Sequence, residues 1–131
     1  PIYCENVIIR GVTVNSEKVP SGDGIDISSC RNVLIEYSTL NCGDDRFTLK
    51  SGRADDGIRV GRPTAHGVIR HLLAQKGHGG ITCGSETAAG IKNVYLHHCV
   101  FDGTRTGFRF KTRRNRGGGI PSDARKRKAQ G

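Results

Sequence analysis

The sequence has no tryptophan and no methionine, and only three tyrosines and four phenylalanines among its 131 residues. So few large side chains exclude a core of bulky aromatics and point to thin side-chain layers. They also leave little to stack on nucleic-acid bases, which weighs against a nucleic-acid module despite a formal charge of +9. No apolar run is long enough to cross a bilayer as a helix, and the first residues do not read as a secretory leader, although the chain begins at Pro1 and reads as a fragment of a longer protein. None of the five cysteines (Cys4, Cys30, Cys42, Cys83 and Cys99) stands in CxxC spacing, so neither a zinc knuckle nor a dithiol motif is indicated. They read as buried free thiols, with Cys4 and Cys30 stacked inside; a disulfide is allowed but not required. No metal and no cofactor is expected, since the carboxylates Asp55 and Asp56 are too few for a cation site.

What is abundant is glycine, with 19 residues, and a charge that is unevenly placed. Residues 1–104 carry eleven basic and eleven acidic side chains, whereas residues 105–131 carry ten basic ones against Asp123 alone and supply the whole excess. The tail from Pro121 to Gly131 reads as irregular. A neutral body argues against nucleic-acid and membrane partners.

The body repeats itself. CENVIIRGVTV (4–14) and CRNVLIEYSTL (30–40) share a C-x-N-V opening, and HGVIRHLLAQ (66–75) and IKNVYLHHCVF (91–101) continue the series. Aligning Asn6, Asn32, Gly67 and Asn93 gives steps of 26, 35 and 26 residues, the long one holding an insertion at 53–65 that reads as a surface loop. A short second strand follows each copy: GIDI (24–27), RFTL (46–49), GITC (80–83) and GFRF (107–110). Two or three short strands per copy with no helix between them exclude a βαβ unit. Coils of this length suit an all-β parallel β-helix, with Val7, Ile9, Val33, Ile35, Val68 and Val94 as core candidates. Stacked coils lie about 4.8 Å apart, so equivalent positions form ladders.

One ladder carries chemistry. Asp23 in SGDGID lies about one coil from Asp44 and Asp45 in GDDR, His78 in KGHGG opens the next second strand, and Arg109 and Lys111 flank Phe110 in GFRFK. Adjacent carboxylates must stay solvated, bind a cation, or leave one member protonated. A protonated carboxyl beside a carboxylate is the equipment of glycoside hydrolysis, in which an acid protonates the leaving oxygen and a base activates water. Strand alternation would separate the members of the pair, so a bend at Gly43-Asp44 is expected. Arg109 and Lys111 want an anion, so the matching sugar is acidic. Arg59 or Arg62 in the insertion would wall the groove near such a ligand.

These four motifs, in this order, resemble the polygalacturonase family of pectin-degrading glycoside hydrolases, over about residues 4–120. The resemblance implies a right-handed parallel β-helix, of which this chain holds about four coils, incomplete relative to the family: residues 1–120 as a partial catalytic region and 121–131 as the tail. It implies an inverting mechanism with Asp44 as general acid, Asp23 and Asp45 holding and activating water, His78 supporting the acid, and Arg109 with Lys111 clamping the galacturonate carboxylate. KSGRADDGIRVGRP is similar to a loop of bacterial exo-acting members. Two positions depart from the pattern: Ser21-Gly22 replaces an Asn-containing pair, and Arg46 stands where Cys is usual. The expected partner is an acidic polysaccharide. The parent enzyme is expected to be a secreted or periplasmic monomer, and this segment to have low or absent activity and to be open to self-association through its coil ends. Alternatives are a rhamnogalacturonan or xylogalacturonan hydrolase and a non-catalytic carbohydrate-binding β-helix.

Overall fold

The computed structural model describes residues 1–16, 18–19, 22–111 and 125–126, with 76–79, 104–106 and 125–126 described by backbone alone. Its strands are β1 (Glu5–Arg10), β2 (Thr13–Ser16), β3 (Ile25–Ser28), β4 (Arg31–Cys42), β5 (Phe47–Lys50), β6 (Thr64–Cys83), β7 (Ile91–His97), β8 (Val100–Phe110) and β9 (Arg125–Lys126). Every pairing between them is parallel. Three stacks result. β1, the first half of β4, the start of β6 and β7 form one. β2, the second half of β4, the middle of β6 and the start of β8 form another. β3, β5 and the ends of β6 and β8 form the third. The chain visits the stacks in rotation, which makes a parallel β-helix with a ladder on each face.

Alternation along each strand decides what enters the coil. The row Ile9, Ile35, Ile69, Leu96 points inward, and Ile35, Ile69 and Leu96 are buried. Phe47, Leu49, Ile27, Ile81, Cys83 and Phe101 line the other inner faces. Each such side chain contributes roughly 1.5–3 kcal/mol by leaving water. Val33 is buried and Val7, Ile9 and Val94 pack partly against the core. Val68 does not join them: it pairs with Leu34 and Tyr95 on the outer row, and Ile69 takes the core position.

That difference has one origin, a register shift of one residue. The observed partners Asn32 and Asn6, then His66 and Asn93, place His66, not Gly67, in the asparagine row. The steps are therefore 26, 34 and 27 residues. The row needs a left-handed backbone, with φ of 57° at Asn6, 57° at Asn32, 59° at His66 and 55° at Asn93. Asparagine reaches that region readily and glycine more so, which made Gly67 the natural match. Histidine also tolerates it.

The insertion is not an irregular loop. Ala54–Val60 form a helix, α1, with Asp55 and Asp56 in its first turn, Arg59 in its last, and Gly61 as a left-handed C-cap at φ 65° whose N–H donates to the Gly57 carbonyl at 2.9 Å. Acid first and base last complement the helix dipole. Gly57 is glycine because a side chain there would strike Ala88 and Gly52.

Four thiols are buried and Cys4 is half-buried, all five free. Of the tail, only Arg125–Lys126 are described; they pair with Tyr95 and Leu96 of β7, and the rest lies outside the described residues. On the outside of the coil, Glu36 is 2% exposed and is held from both sides, by Arg10 Nε at 3.1 Å and by Arg70 Nη2 at 2.7 Å. No helix among the described residues is long and apolar enough to cross a membrane.

Candidate active site

β4 ends at Cys42 and β5 begins at Phe47, so residues 43–46 form the bend that the adjacent carboxylates require. It is pinned from the preceding coil. The Asp44 N–H donates to the Gly22 carbonyl at 3.2 Å, Gly24 N–H to the Asp45 carbonyl at 3.1 Å, and Ile25 N–H to the Arg46 carbonyl at 2.9 Å. Gly24 allows this closeness, since a Cβ there would collide with the Arg46 carbonyl oxygen.

It is pinned from the following coil by Arg46, whose side chain points inward and is fully buried. Its Nε donates to the Gln75 carbonyl at 2.9 Å, its Nη2 reaches the same oxygen, and its Nη1 donates to the Asp44 carbonyl at 2.8 Å. A buried guanidinium costs several kcal/mol unless its donors are satisfied. Here the Gln75 and Asp44 carbonyls accept from it.

Asp45 is almost fully buried, and Lys111 Nζ lies 2.9 Å from its Oδ2. Its Oδ1 has no hydrogen-bond partner among the described residues. Residues 66 apart in sequence thus meet across two coils. Lys111 is therefore no idle cation at the rim; it is already engaged with a carboxylate.

Asp23 is half-buried, and its carboxyl is pushed up to about 6 by burial, then by the neighbouring Asp26 carboxylate, with Asp44 adding to the rise and Lys50 opposing it. Asp26 is one of three residues the sequence reading missed: it accepts from Thr48 Oγ1 and lies 3.7 Å from Lys50 Nζ. Alternation would have found all three. In Gly24-Ile25-Asp26 the apolar residue turns in, so Asp26 turns out, in one row with Thr48, Thr82 and Arg109. A cavity of about 420 Å³ opens beside Asp23 and Asp26.

Arg109 is half-buried on that outer row. Phe110 is on the opposite, core-facing row but remains 54% exposed, its ring 4.9 Å from that of Phe108. His78 runs in β6 between Gly77, paired with Thr104, and Gly79, paired with Thr106; its side chain lies outside the described residues. Its backbone is displaced by 34 residues from Asp44, the same offset that pairs Asn41 with Gln75 and Phe47 with Ile81. The geometry brings Asp23, Asp26, Asp44 and Lys50 into electrostatic contact, and separately joins Asp45 to Lys111. Arg59 instead pairs with Asp56 at 2.7 Å, and Arg62 lies over Tyr3, so neither insertion arginine reaches this bend. Among the described residues no group of three His, Cys, Asp or Glu could hold a metal ion.

The family model for glycosyl hydrolases family 28 matches residues 2–122. A probable polygalacturonase of Vitis vinifera is 38% identical over 120 residues, covering 90% of this chain and 24% of the relative. An exo-poly-alpha-D-galacturonosidase of Dickeya chrysanthemi is 28% identical, covering 88% and 19%. The crystal structure of a hyperthermoactive exopolygalacturonase from Thermotoga maritima superposes with a TM-score of 0.83 at 39% identity, covering 86% of this chain and 26% of that one. The chain spans about a quarter of the length of the first curated relative it matches.

Proposed function

Because this chain belongs to glycosyl hydrolases family 28, we propose that it is the catalytic part of a pectin-degrading hydrolase that cleaves α-1,4-linked galacturonate, on a right-handed β-helix and with inversion. The observation that supports the reading is the Asp45–Lys111 contact, which joins a carboxylate of the bend to a cation two coils away. Asp44 protonates the leaving oxygen. Asp45 and Asp23 hold the attacking water, for which Asp45 Oδ1, without a hydrogen-bond partner among the described residues, serves as acceptor. His78 supports the acid. Arg109 clamps the substrate carboxylate, and Lys111 shares itself between that carboxylate and Asp45. Exo-action is favoured by the names of the Dickeya and Thermotoga relatives.

One observation favours a second assignment of the acid. The carboxyl that keeps its proton to about pH 6 is Asp23, and a raised carboxyl beside an ionised one is the ordinary mark of the general acid. Leaving-group chemistry separates the two. The chain is incubated with polygalacturonate and with an activated aryl galacturonide. If Asp44 is the acid, Asp44→Asn lowers release from the polymer by about 10²–10⁴-fold, and far less from the aryl substrate, whose leaving group needs no proton. If Asp23 is the acid, Asp23→Asn shows that pattern instead. Polygalacturonate cleavage that survives both substitutions overturns the proposal. Product analysis on rhamnogalacturonan and xylogalacturonan checks the substrate.

A further inference from the structure

A second cavity, of about 370 Å³, lies where the end of α1 meets the first residues of the β1–β4–β6–β7 stack. None of the carboxylates of the bend lines it. Its floor follows from register. Glu5, Arg31, Ala65 and Lys92 occupy one row of four successive strands. Ala65 is the short member, so Arg31 and Lys92 stand two strand spacings apart, about 9.6 Å, with only a methyl group between them. Arg62, just past the Gly61 cap, forms the roof; its guanidinium carbon lies 5.7 Å from the Tyr3 ring centroid.

Three exposed cations thus converge on one cavity against a single carboxylate, Glu5. Residues 1–104 are neutral as a whole, so this is a local concentration of positive charge and not a general one. Two arginine forks and an ammonium line it and suit a carboxylate, and Tyr3 supplies a flat apolar edge. We propose that this cavity binds a carboxylate-bearing sugar residue and gives the acidic polymer a second point of attachment apart from the carboxylate bend. The identity of the sugar rests on the function proposed above; the binding itself requires no cleavage.

The test is titration of trigalacturonate into the chain, followed by amide NMR at Tyr3 and Lys92 for this cavity and at Lys111 for the bend. Trigalacturonate is expected to shift both sets, with the Tyr3 response weakening as salt is raised. In the double variant Arg62→Ala, Lys92→Ala, both at exposed positions, the Tyr3 affinity should fall about tenfold, two exposed charge pairs being lost, while the Lys111 response stays unchanged and the other amides report an intact fold. A Lys111 response with none at Tyr3, or a Tyr3 response that the double variant leaves intact, overturns the inference and spares the proposed function. A Tyr3 response without cleavage or a Lys111 response supports the inference and counts against the function. Inorganic phosphate shifting Tyr3 as tightly as trigalacturonate would make this a simple anion site and overturn the assignment to a sugar.

Discussion

Replacing Asp23 by asparagine should stabilise the protein at neutral pH and leave it unchanged in acid. The Asp23 carboxyl is raised from 3.8 to about 6 by burial and by Asp26. Between those pH values the folded state binds more protons than the unfolded state, so stability falls as pH rises, and above about 6 the penalty is fully developed. A shift of about 2 units corresponds to about 3 kcal/mol for a group sealed from water. Asp23 is only half-buried, so screening reduces this to about 1–2 kcal/mol. Asparagine keeps the shape and removes the charge. Urea unfolding of the parent chain and of Asp23→Asn at pH 3.5 and 7.5 measures the difference. Asn should raise stability by about 1–2 kcal/mol at pH 7.5 and make no difference at pH 3.5. A variant that is less stable at pH 7.5, or whose effect ignores pH, would refute the claim that Asp23 is held against its charge.

Glu36 should behave with the opposite sign. Hydrogen bonds from Arg70, then from Arg10, hold its carboxyl below the usual carboxylate range, so its contribution is present above pH 4.5 and lost as pH falls through the lowered value. Glu36→Gln should therefore destabilise at pH 7 and converge with the parent chain in acid, as read by thermal unfolding. Gly24→Ala should cost about 1–3 kcal/mol by overpacking, because its Cβ has no room between the Arg46 carbonyl and Cys42 Sγ; urea unfolding measures it, and a neutral effect would mean the bend is looser than described. Burial pushes the Cys83 thiol up to about 12, so iodoacetamide should label half-buried Cys4 in the native protein and reach Cys83 only on unfolding, which mass spectrometry reads directly.

The sequence by itself determined the architecture. Apolar residues at alternate positions, repeated at intervals near one coil length, have no stable arrangement other than stacking, since no single copy can bury its own face. It also determined the order of the chemical groups, because Asp23, Asp44 with Asp45, and His78 stand just before successive second strands, while Arg109 and Lys111 stand at the end of the last one. Short-range signals could mislead where two residue types meet one backbone need: the left-handed row accepted His66, and the match to Gly67 displaced Val68 from the outer row into the presumed core. Seven residues with a central glycine carry too little periodicity to announce α1. What only the tertiary structure decided is which charges touch. Strand alternation says that a side chain points outward, but whether Lys111 meets Asp45, whether Asp23 leans on Asp26, and whether Arg46 buries itself under the bend depends on distances between coils. Those distances are set by stacking of the whole ladder, and electrostatic energies depend on them too steeply to be read along the chain.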